Sequence, residues 1–272
     1  MAARFSGAAR HFKRAALLVL TAFSATPALA QMPACPPQPP QAALSVPRAA
    51  ETLAKTKALT IVAIGSSSTT GVGASDATRT YPAVLEAELQ ARFPGTQIKV
   101  VNKGGNAEDV PENLSRFDRD VGALKPDVVL WQVGTNYVLR SFGLGTFADQ
   151  LRTGIARIRA YGADPVLIDL QYSPWVNMDA DTGPMLKLIA DVGQQERVPV
   201  VARYAMMKRW KESDGVPLSQ MIILDGLHLT DWSYKCFAQA VAVRLSAGLA
   251  QTVRPAKPAD AAPRAPTAVP VQ

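Results

Sequence analysis

The segment that decides the fold is LTIVAI at residues 59–64, followed by the serine-rich GSSSTTG at residues 65–71. Apart from Thr60, the first part is apolar throughout instead of alternating with polar residues. A short, continuous apolar run is typical of a strand that is buried on both faces, and such strands occur in parallel sheets covered by helices. The sequence therefore predicts an α/β fold in which a polar loop follows the first strand.

Four similar apolar runs follow at residues 98–102, 128–133, 165–170 and 198–202. The intervening segments have helical signals: Asp109 with Glu112, and Thr146 with Asp149, are spaced as capping pairs ahead of apolar residues at helical intervals. Strand and helix thus alternate about five times. This pattern predicts a three-layer α/β/α sandwich with a mainly parallel, five-stranded sheet.

The two ends of the chain differ in composition from the middle. Residues 1–30 combine four basic residues, an apolar run and small residues up to Ala30, which predicts a secretory signal peptide cleaved after Ala30. Residues 31–55 form a proline-rich amino-terminal arm and residues 251–272 a Pro/Ala-rich tail. We expect both the proline-rich stretch at residues 31–47 and the tail to be extended or disordered. We therefore expect one well-buried domain at residues 56–250 of a periplasmic or secreted protein.

Charge gives little support for a nucleic-acid partner. The whole chain has a formal net charge of +7, but residues 1–30 carry four of the basic residues and no acidic one, so the mature chain would carry +3. The basic residues form no concentrated stripe. Beyond the signal peptide no segment has the length and hydropathy of a membrane span.

Cys35 and Cys236 are the only cysteines. A pair of cysteines in an exported protein favours a disulfide over reactive thiols. The alternative is a lipid anchor on Cys35, although the preceding Met-Pro-Ala is a poor approach sequence for lipid attachment.

Unusual polar clusters follow the first three predicted strands, at residues 65–71, 102–106 and 134–136. The first cluster fits neither a phosphate-binding loop nor a dinucleotide fingerprint, and Thr69 replaces the last glycine of a Gly-x-Ser-x-Gly nucleophile elbow. Each cluster taken alone is compatible with ordinary turn chemistry. In parallel sheets, however, active sites form at the carboxyl ends of the strands, where all three clusters fall.

A fourth cluster is Asp225-Gly226-Leu227-His228. The other histidine, His11, lies in the predicted signal peptide, so His228 is the single histidine of the mature chain. Histidine is the side chain suited to proton transfer near neutral pH. From this spacing alone, a capped loop with a solvated histidine and an acid–base pair are equally good interpretations.

The order of the four clusters resembles that of the SGNH hydrolases, also called the GDSL esterase/lipase family, over about residues 60–249. This family has a Ser after strand one, a Gly after strand two, an Asn in Gly-x-Asn after strand three, and a late Asp-x-x-His. The resemblance implies a flavodoxin-like fold and a catalytic triad of Ser67, His228 and Asp225. It also implies an oxyanion hole formed by the Ser67 backbone N–H, Gly104 and Asn136.

The chain departs from the family pattern at two positions. Ser66 replaces the aspartate of Gly-Asp-Ser, and Tyr137 replaces the aspartate that usually follows the block-three asparagine. Neither aspartate belongs to the triad, so the chemistry should survive while the hydrogen bonding around the nucleophile differs. A register shift of one residue would make Ser66 or Ser68 the nucleophile.

The resemblance implies a serine esterase that removes acyl groups, acetyl among them, from a carbohydrate or another small ester. It needs no cofactor, and the sequence has no His/Cys cluster for a metal. A lipase or thioesterase is the alternative enzyme, and a catalytically silent glycan-binding domain is the alternative outside the enzymes. Tyr137, Tyr172, Trp175 and Trp232 follow motif loops, where they either form a sugar-stacking rim or pack loops onto the domain, whereas Trp131 is predicted to be core.

Overall fold

The computed structural model describes Met1 and residues 32–251, so the predicted signal peptide with its Ala30 cleavage site and almost all of the predicted tail lie outside the described residues. From Pro33 onward the described chain forms one compact unit. The helices are α1 (Pro47–Thr56), α2 (Ser67–Thr70), α3 (Tyr81–Arg92), α4 (Val110–Asp120), α5 (Thr135–Leu139), α6 (Phe147–Ala160), α7 (Pro174–Met178), α8 (Thr182–Glu196), α9 (Arg203–Glu212), α10 (Leu218–Met221) and α11 (Asp231–Leu249). The strands are β1 (Ala58–Gly65), β2 (Gln97–Gly104), β3 (Val128–Gln132), β4 (Asp164–Ile168) and β5 (Val200–Val201).

The five strands form one parallel sheet in the order β2-β1-β3-β4-β5. Each of them overlaps a strand predicted from the sequence, so the predicted fold class is confirmed. This order is that of flavodoxin-like folds, in which the chain reverses its direction of winding between β1 and β3. Ligand sites form outside the carboxyl ends of the strands beside that reversal, which is where the loops after β1 and β3 lie.

Helices cover both faces of the sheet. Alternate residues of β1 face opposite sides, and Val62 and Ile64 join Trp131 of β3 in a cluster with α4, α6 and α8. On the other side α11 packs against α3 and α1, with Tyr81 and Phe237 in edge-to-face contact. Trp131 is fully buried, as predicted.

The two predicted capping pairs have different outcomes. Asp109 and Glu112 form a reciprocal capping box at the start of α4. The second prediction was wrong, because the Thr146 side chain makes no capping bond at the start of α6 and instead meets the Tyr137 hydroxyl at 3.0 Å. Asp149 forms an ion pair with Arg152 on the same helix.

The proline-rich arm is ordered from residue 33 and lies against α9 and α11. A disulfide joins Cys35 to Cys236, which confirms the predicted pairing and leaves no Cys35 thiol for a lipid. The indole of Trp232 donates a hydrogen bond to the Pro33 carbonyl, and Leu44 is completely buried beside Gly248, where a Cβ would lie 1.9 Å from the Leu44 carbonyl oxygen. The arm is thus part of the domain packing and not a loose extension.

Within the described residues, every helix is too short or too polar to cross a bilayer.

Candidate active site

The three serines of the loop after β1 have different hydrogen-bond partners. The backbone N–H and the hydroxyl of Ser66 both donate to Gln132 Oε1, at 2.8 and 2.6 Å. Ser68 is fully buried and also donates to Gln132 Oε1, at 3.3 Å. Ser67, the first residue of α2, is therefore the one serine of the three whose hydroxyl meets the histidine: Ser67 Oγ lies 2.8 Å from His228 Nε2.

Asp225 makes two contacts with His228 and one with the preceding residue, Leu227. Its Oδ1 accepts the backbone N–H groups of Leu227 and His228, each at 2.9 Å, and its Oδ2 lies 2.5 Å from His228 Nδ1. Partial burial opposes ionisation, but the hydrogen bonds from His228 and Leu227 outweigh it and lower the pKa of Asp225. The structure thus contains both the capped loop and the Asp–His side-chain contact that were considered as alternatives for Asp-x-x-His.

Trp175 of α7 braces the loop that carries this pair. Its indole N–H donates to the Asp225 carbonyl at 2.7 Å, and a Cβ on Gly226 would lie 3.0 Å from the same nitrogen. Gly226 adopts φ +73°, so both the backbone conformation and the lack of space require glycine there. Trp175 nevertheless remains 54% exposed.

Asn136, on α5 after β3, is held from below by a buried carboxylate. Asp109 accepts the backbone N–H groups of Gly134 and Tyr137, on either side of Asn136, each at 3.0 Å. Burial raises the pKa of Asp109, and these N–H groups oppose that rise. The Asn136 amide donates one hydrogen to the Glu108 carbonyl at 2.8 Å, which leaves its second amide hydrogen available.

The expected role of Gly104 as an oxyanion donor is not compatible with its hydrogen bonding. Its N–H already donates to Asn102 Oδ1 at 2.9 Å, and the Asn102 amide in turn donates to the Thr69 carbonyl. A Cβ at Gly104 would lie only 2.1 Å from the Thr70 nitrogen. Glycine is required here because the backbone of β2 directly contacts the backbone of residues 65–71. We call these residues the nucleophile loop because they carry the expected nucleophile.

A different pair of backbone amides on the same loop was not apparent from the sequence. Asn106 and Ala107 are exposed, and their backbone N–H groups have no acceptor among the described residues. Ala107 adopts φ +61°, which is uncommon for a residue with a Cβ. Ala107 adjoins Glu108, whose carbonyl accepts a hydrogen bond from the Asn136 amide, so one residue separates the free Ala107 N–H group from a direct contact with Asn136.

Three of the four aromatic residues predicted for a substrate rim are engaged in packing. Tyr137 is 3% exposed and packs edge-to-face on Phe147, so its assignment to substrate binding was wrong. Trp232 is 4% exposed and packs on Trp210, which contradicts the same interpretation. Tyr172 is partly buried against Tyr204, and Trp175 alone of the four is exposed.

Comparisons with known proteins agree with this architecture. A family model described as the Non-GDSL lipase-like family matches residues 33–251. A segment of 64 residues is 41% identical to an acetylxylan esterase of Geobacillus stearothermophilus; this segment is 24% of the present chain and spans only 29% of that relative's length.

Solved structures show the same fold. A putative lipolytic protein of the G-D-S-L family from Desulfitobacterium hafniense superposes with a TM-score of 0.59 at 24% identity, covering 69% of this chain and 99% of that protein. A lipase/acylhydrolase from Enterococcus faecalis superposes with a TM-score of 0.58 at 21% identity, covering 70% and 96%. Because its family model matches most of the sequence, this chain belongs to the Non-GDSL lipase-like family, and its resemblance to the SGNH-type hydrolases is confirmed.

Proposed function

We propose that this chain is an exported serine esterase that hydrolyses a short acyl ester, with acetyl as the preferred acyl group, on a carbohydrate or another small alcohol. The observation that carries the proposal is the unbroken series of contacts from Asp225 to His228 to Ser67, at 2.5 and 2.8 Å. A serine hydroxyl becomes a competent nucleophile when a base within hydrogen-bond reach accepts its proton and a third group orients that base.

In the proposed mechanism, His228 Nε2 takes the proton as Ser67 Oγ attacks the ester carbonyl, and Asp225 stabilises the resulting imidazolium. The C–O bond to the alcohol then breaks, and His228 returns the proton to the departing alkoxide oxygen. Water, activated by the same histidine, attacks the acyl-serine, releases the carboxylic acid and restores Ser67. The proton transfers of this cycle involve Ser67, His228, the ester and water.

We assign the oxyanion hole to the Ser67 N–H, the free hydrogen of the Asn136 amide and the Ala107 N–H, which replaces Gly104. Within the described residues the Ser67 N–H has no acceptor, as expected for the first residue of a helix. The backbone at Ala107 fits a functional constraint, since residues held in sparsely populated conformations concentrate at active sites. Each preorganised donor contributes on the order of 3 kcal/mol to the transition state.

For the alcohol side of the substrate, Trp175 is the candidate contact and Tyr172 a weaker one. Trp175 is exposed and touches the backbone of Asp225, so a sugar that stacks on its ring would lie beside the acid–base loop. The named activity of the Geobacillus relative, on acetylated xylan, supports a carbohydrate substrate.

The second candidate is a lipase or thioesterase with a longer acyl chain. Its support is apolar exposure near the site, because Leu224, which precedes Asp225, is fully exposed and Met178 of α7 is 77% exposed. Export is supported by the disulfide, since such bonds persist in oxidising compartments.

A series of p-nitrophenyl esters from acetyl to dodecanoyl, run beside acetate release from O-acetylated xylan, tests the proposal. Ser67→Ala is the blank for both assays. We expect kcat/KM to be highest for acetyl and to fall steeply with chain length, because acetyl is the acyl group named for the Geobacillus relative. A maximum at longer chains would transfer the assignment to the lipase candidate. No turnover above Ser67→Ala on any ester would favour a silent glycan-binding domain.

A further inference from the structure

A closed ring of side-chain hydrogen bonds lies directly beneath the nucleophile loop. Its five members, each at most 1% exposed, are Ser68, Gln132, Thr135, Gln171 and Arg203. Arg203 donates from Nη1 to Ser68 Oγ at 2.9 Å and from Nη2 to Gln171 Oε1 at 2.8 Å. The ring closes from Ser68 to Gln132 at 3.3 Å, from Gln132 to Thr135 at 3.4 Å and from Thr135 to Gln171 at 2.9 Å.

The directions of these bonds are mutually consistent. Each hydroxyl accepts one hydrogen bond and donates another. Ser68 accepts from Arg203 and donates to Gln132, and Thr135 accepts from Gln132 and donates to Gln171. Both routes begin at a donor that has no acceptor capacity, the guanidinium. A buried network in which every member is satisfied holds its parts in one arrangement.

The ring connects the segments that carry Ser67 and Asn136, and the proposed reaction requires these two residues to be correctly placed relative to each other. Ser68 immediately follows Ser67, and Thr135 immediately precedes Asn136. Ser66 joins from the other side of the nucleophile by donating to Gln132 at 2.6 Å. The proposed nucleophile, Ser67, and the proposed oxyanion donor, Asn136, are thus each the sequence neighbour of a member of the same ring.

Burying the guanidinium of Arg203 at this position is energetically unfavourable. Its side chain is fully buried and forms no ion pair within 4.0 Å among the described residues, although the neighbouring Asp169 carboxyl partly offsets the effect of burial on its pKa. Its third bond goes to the backbone carbonyl of Asp169 at 3.1 Å, and burial lowers the pKa of Arg203 to about 10. Packing alone would be served at lower cost by an apolar side chain, since desolvating a cation is unfavourable.

The guanidinium differs from other cations in its rigid fork, which fixes the separation of two acceptors. We propose that Arg203 is a positioning residue: through Ser68 on one branch, and through Gln171 and Thr135 on the other, it sets the Ser67 loop against the segment that carries Asn136. This inference rests on the proposed esterase function and adds to it a residue that contacts no substrate.

The test compares variants of the mature protein on p-nitrophenyl acetate, with kcat, KM, the rate of fluorophosphonate labelling and Tm measured for each. Arg203→Lys keeps the charge but loses the fork. We expect its kcat and labelling rate to fall by about 10- to 100-fold, with KM within about twofold, because errors near 1 Å in the reacting geometry cost about that much.

Thr135 supplies a matched pair in case the Arg203 variant does not fold. Thr135→Val has nearly the same shape but lacks the hydroxyl, whereas Thr135→Ser keeps it. We expect kcat to fall by about tenfold in Thr135→Val and to be largely retained in Thr135→Ser. Asp164→Ala is the stability control, because Asp164 is a buried side chain that bonds the Ala49 N–H at the opposite end of the sheet.

A purely structural ring would lower Tm in these variants as in Asp164→Ala and leave kcat per folded molecule unchanged, which would overturn the inference. Equal kcat in Thr135→Val and Thr135→Ser would also overturn it. Labelling of the unmodified protein at Ser67 separates the two levels. If the unmodified protein is not labelled, the proposed function fails; if it is labelled and the variants react at the same rate, only the role of Arg203 fails.

Discussion

Gly104→Ala separates two explanations of the glycine after β2. If Gly104 served only through its N–H group, alanine would keep that group and the activity. In the structure, however, the added Cβ would lie 2.1 Å from the Thr70 nitrogen and 2.6 Å from two further backbone atoms of Thr69 and Thr70. Those atoms belong to the backbone of the nucleophile loop, so no side-chain rotation can relieve the contact.

The size of the effect follows from the distance. Ordinary contact begins near 3.4 Å, so β2 and the nucleophile loop must separate by about 1.3 Å. A displacement near 1 Å in a reacting group costs about 100-fold in rate, and overpacking costs about 1–3 kcal/mol in stability. We therefore expect Gly104→Ala to lower kcat on p-nitrophenyl acetate by about 100-fold and to lower Tm.

The matched control is Gly145→Ala, because a Cβ at Gly145 meets nothing within 4 Å. We expect this variant to keep the kcat and Tm of the unmodified protein. The assay is steady-state kinetics together with thermal unfolding followed by circular dichroism. Unchanged kcat and unchanged Tm in Gly104→Ala would show that this backbone contact does not require glycine.

Three further predictions follow from the site and its surroundings. Asn136→Ala should lower kcat by about 100- to 1,000-fold with little change in KM, because an oxyanion donor acts in the transition state; an unchanged kcat would remove Asn136 from the site. Reducing the Cys35–Cys236 disulfide, which closes a separation of 201 residues, should cost about 2–4 kcal/mol and lower Tm by roughly 4–16 °C in calorimetry; the same Tm with and without reductant would show that the packing of the arm suffices. Burial raises the pKa of Asp169 to about 7, so the folded protein holds a proton that the unfolded chain loses above pH 3.8, and the contribution of Asp169 to the free energy of unfolding should decrease as pH rises from 3.8 to about 7. Asp169→Asn should remove that decrease in urea titrations across this range, and equal slopes for the two proteins would contradict the burial argument.

Local patterns were sufficient to predict the sheet, whereas the proposed reacting side chains were predicted from the family resemblance. The run at residues 59–64 lacks polar alternation because both of its faces are covered, and that property is visible in the sequence itself. Asp225 and His228 are three residues apart, so a single loop brings them together. The family resemblance predicted Ser67 as the serine after the first strand, and only the contacts with Gln132 distinguish it from Ser66 and Ser68.

Other features depend on contacts between distant parts of the chain. The N–H of Gly104 is taken by Asn102, and the glycine itself is required by the backbone of Thr70, neither of which its sequence neighbourhood reveals. Tyr137 follows a motif residue, but it turns inward because Phe147 offers an aromatic surface there. Arg203 looks like an ordinary surface cation at the start of a helix, and only the fold shows it buried beneath Ser68.

The most direct test of the central claim is the site of covalent modification by a fluorophosphonate, located by peptide mass spectrometry. We expect one adduct per chain, on Ser67, and we expect His228→Ala to slow the labelling greatly because no base then accepts the Ser67 proton. Ser67→Ala should take up no label and retain its fold. An adduct on Ser66 or Ser68, or undiminished ester hydrolysis by Ser67→Ala, would contradict the assignment of Ser67 as the nucleophile.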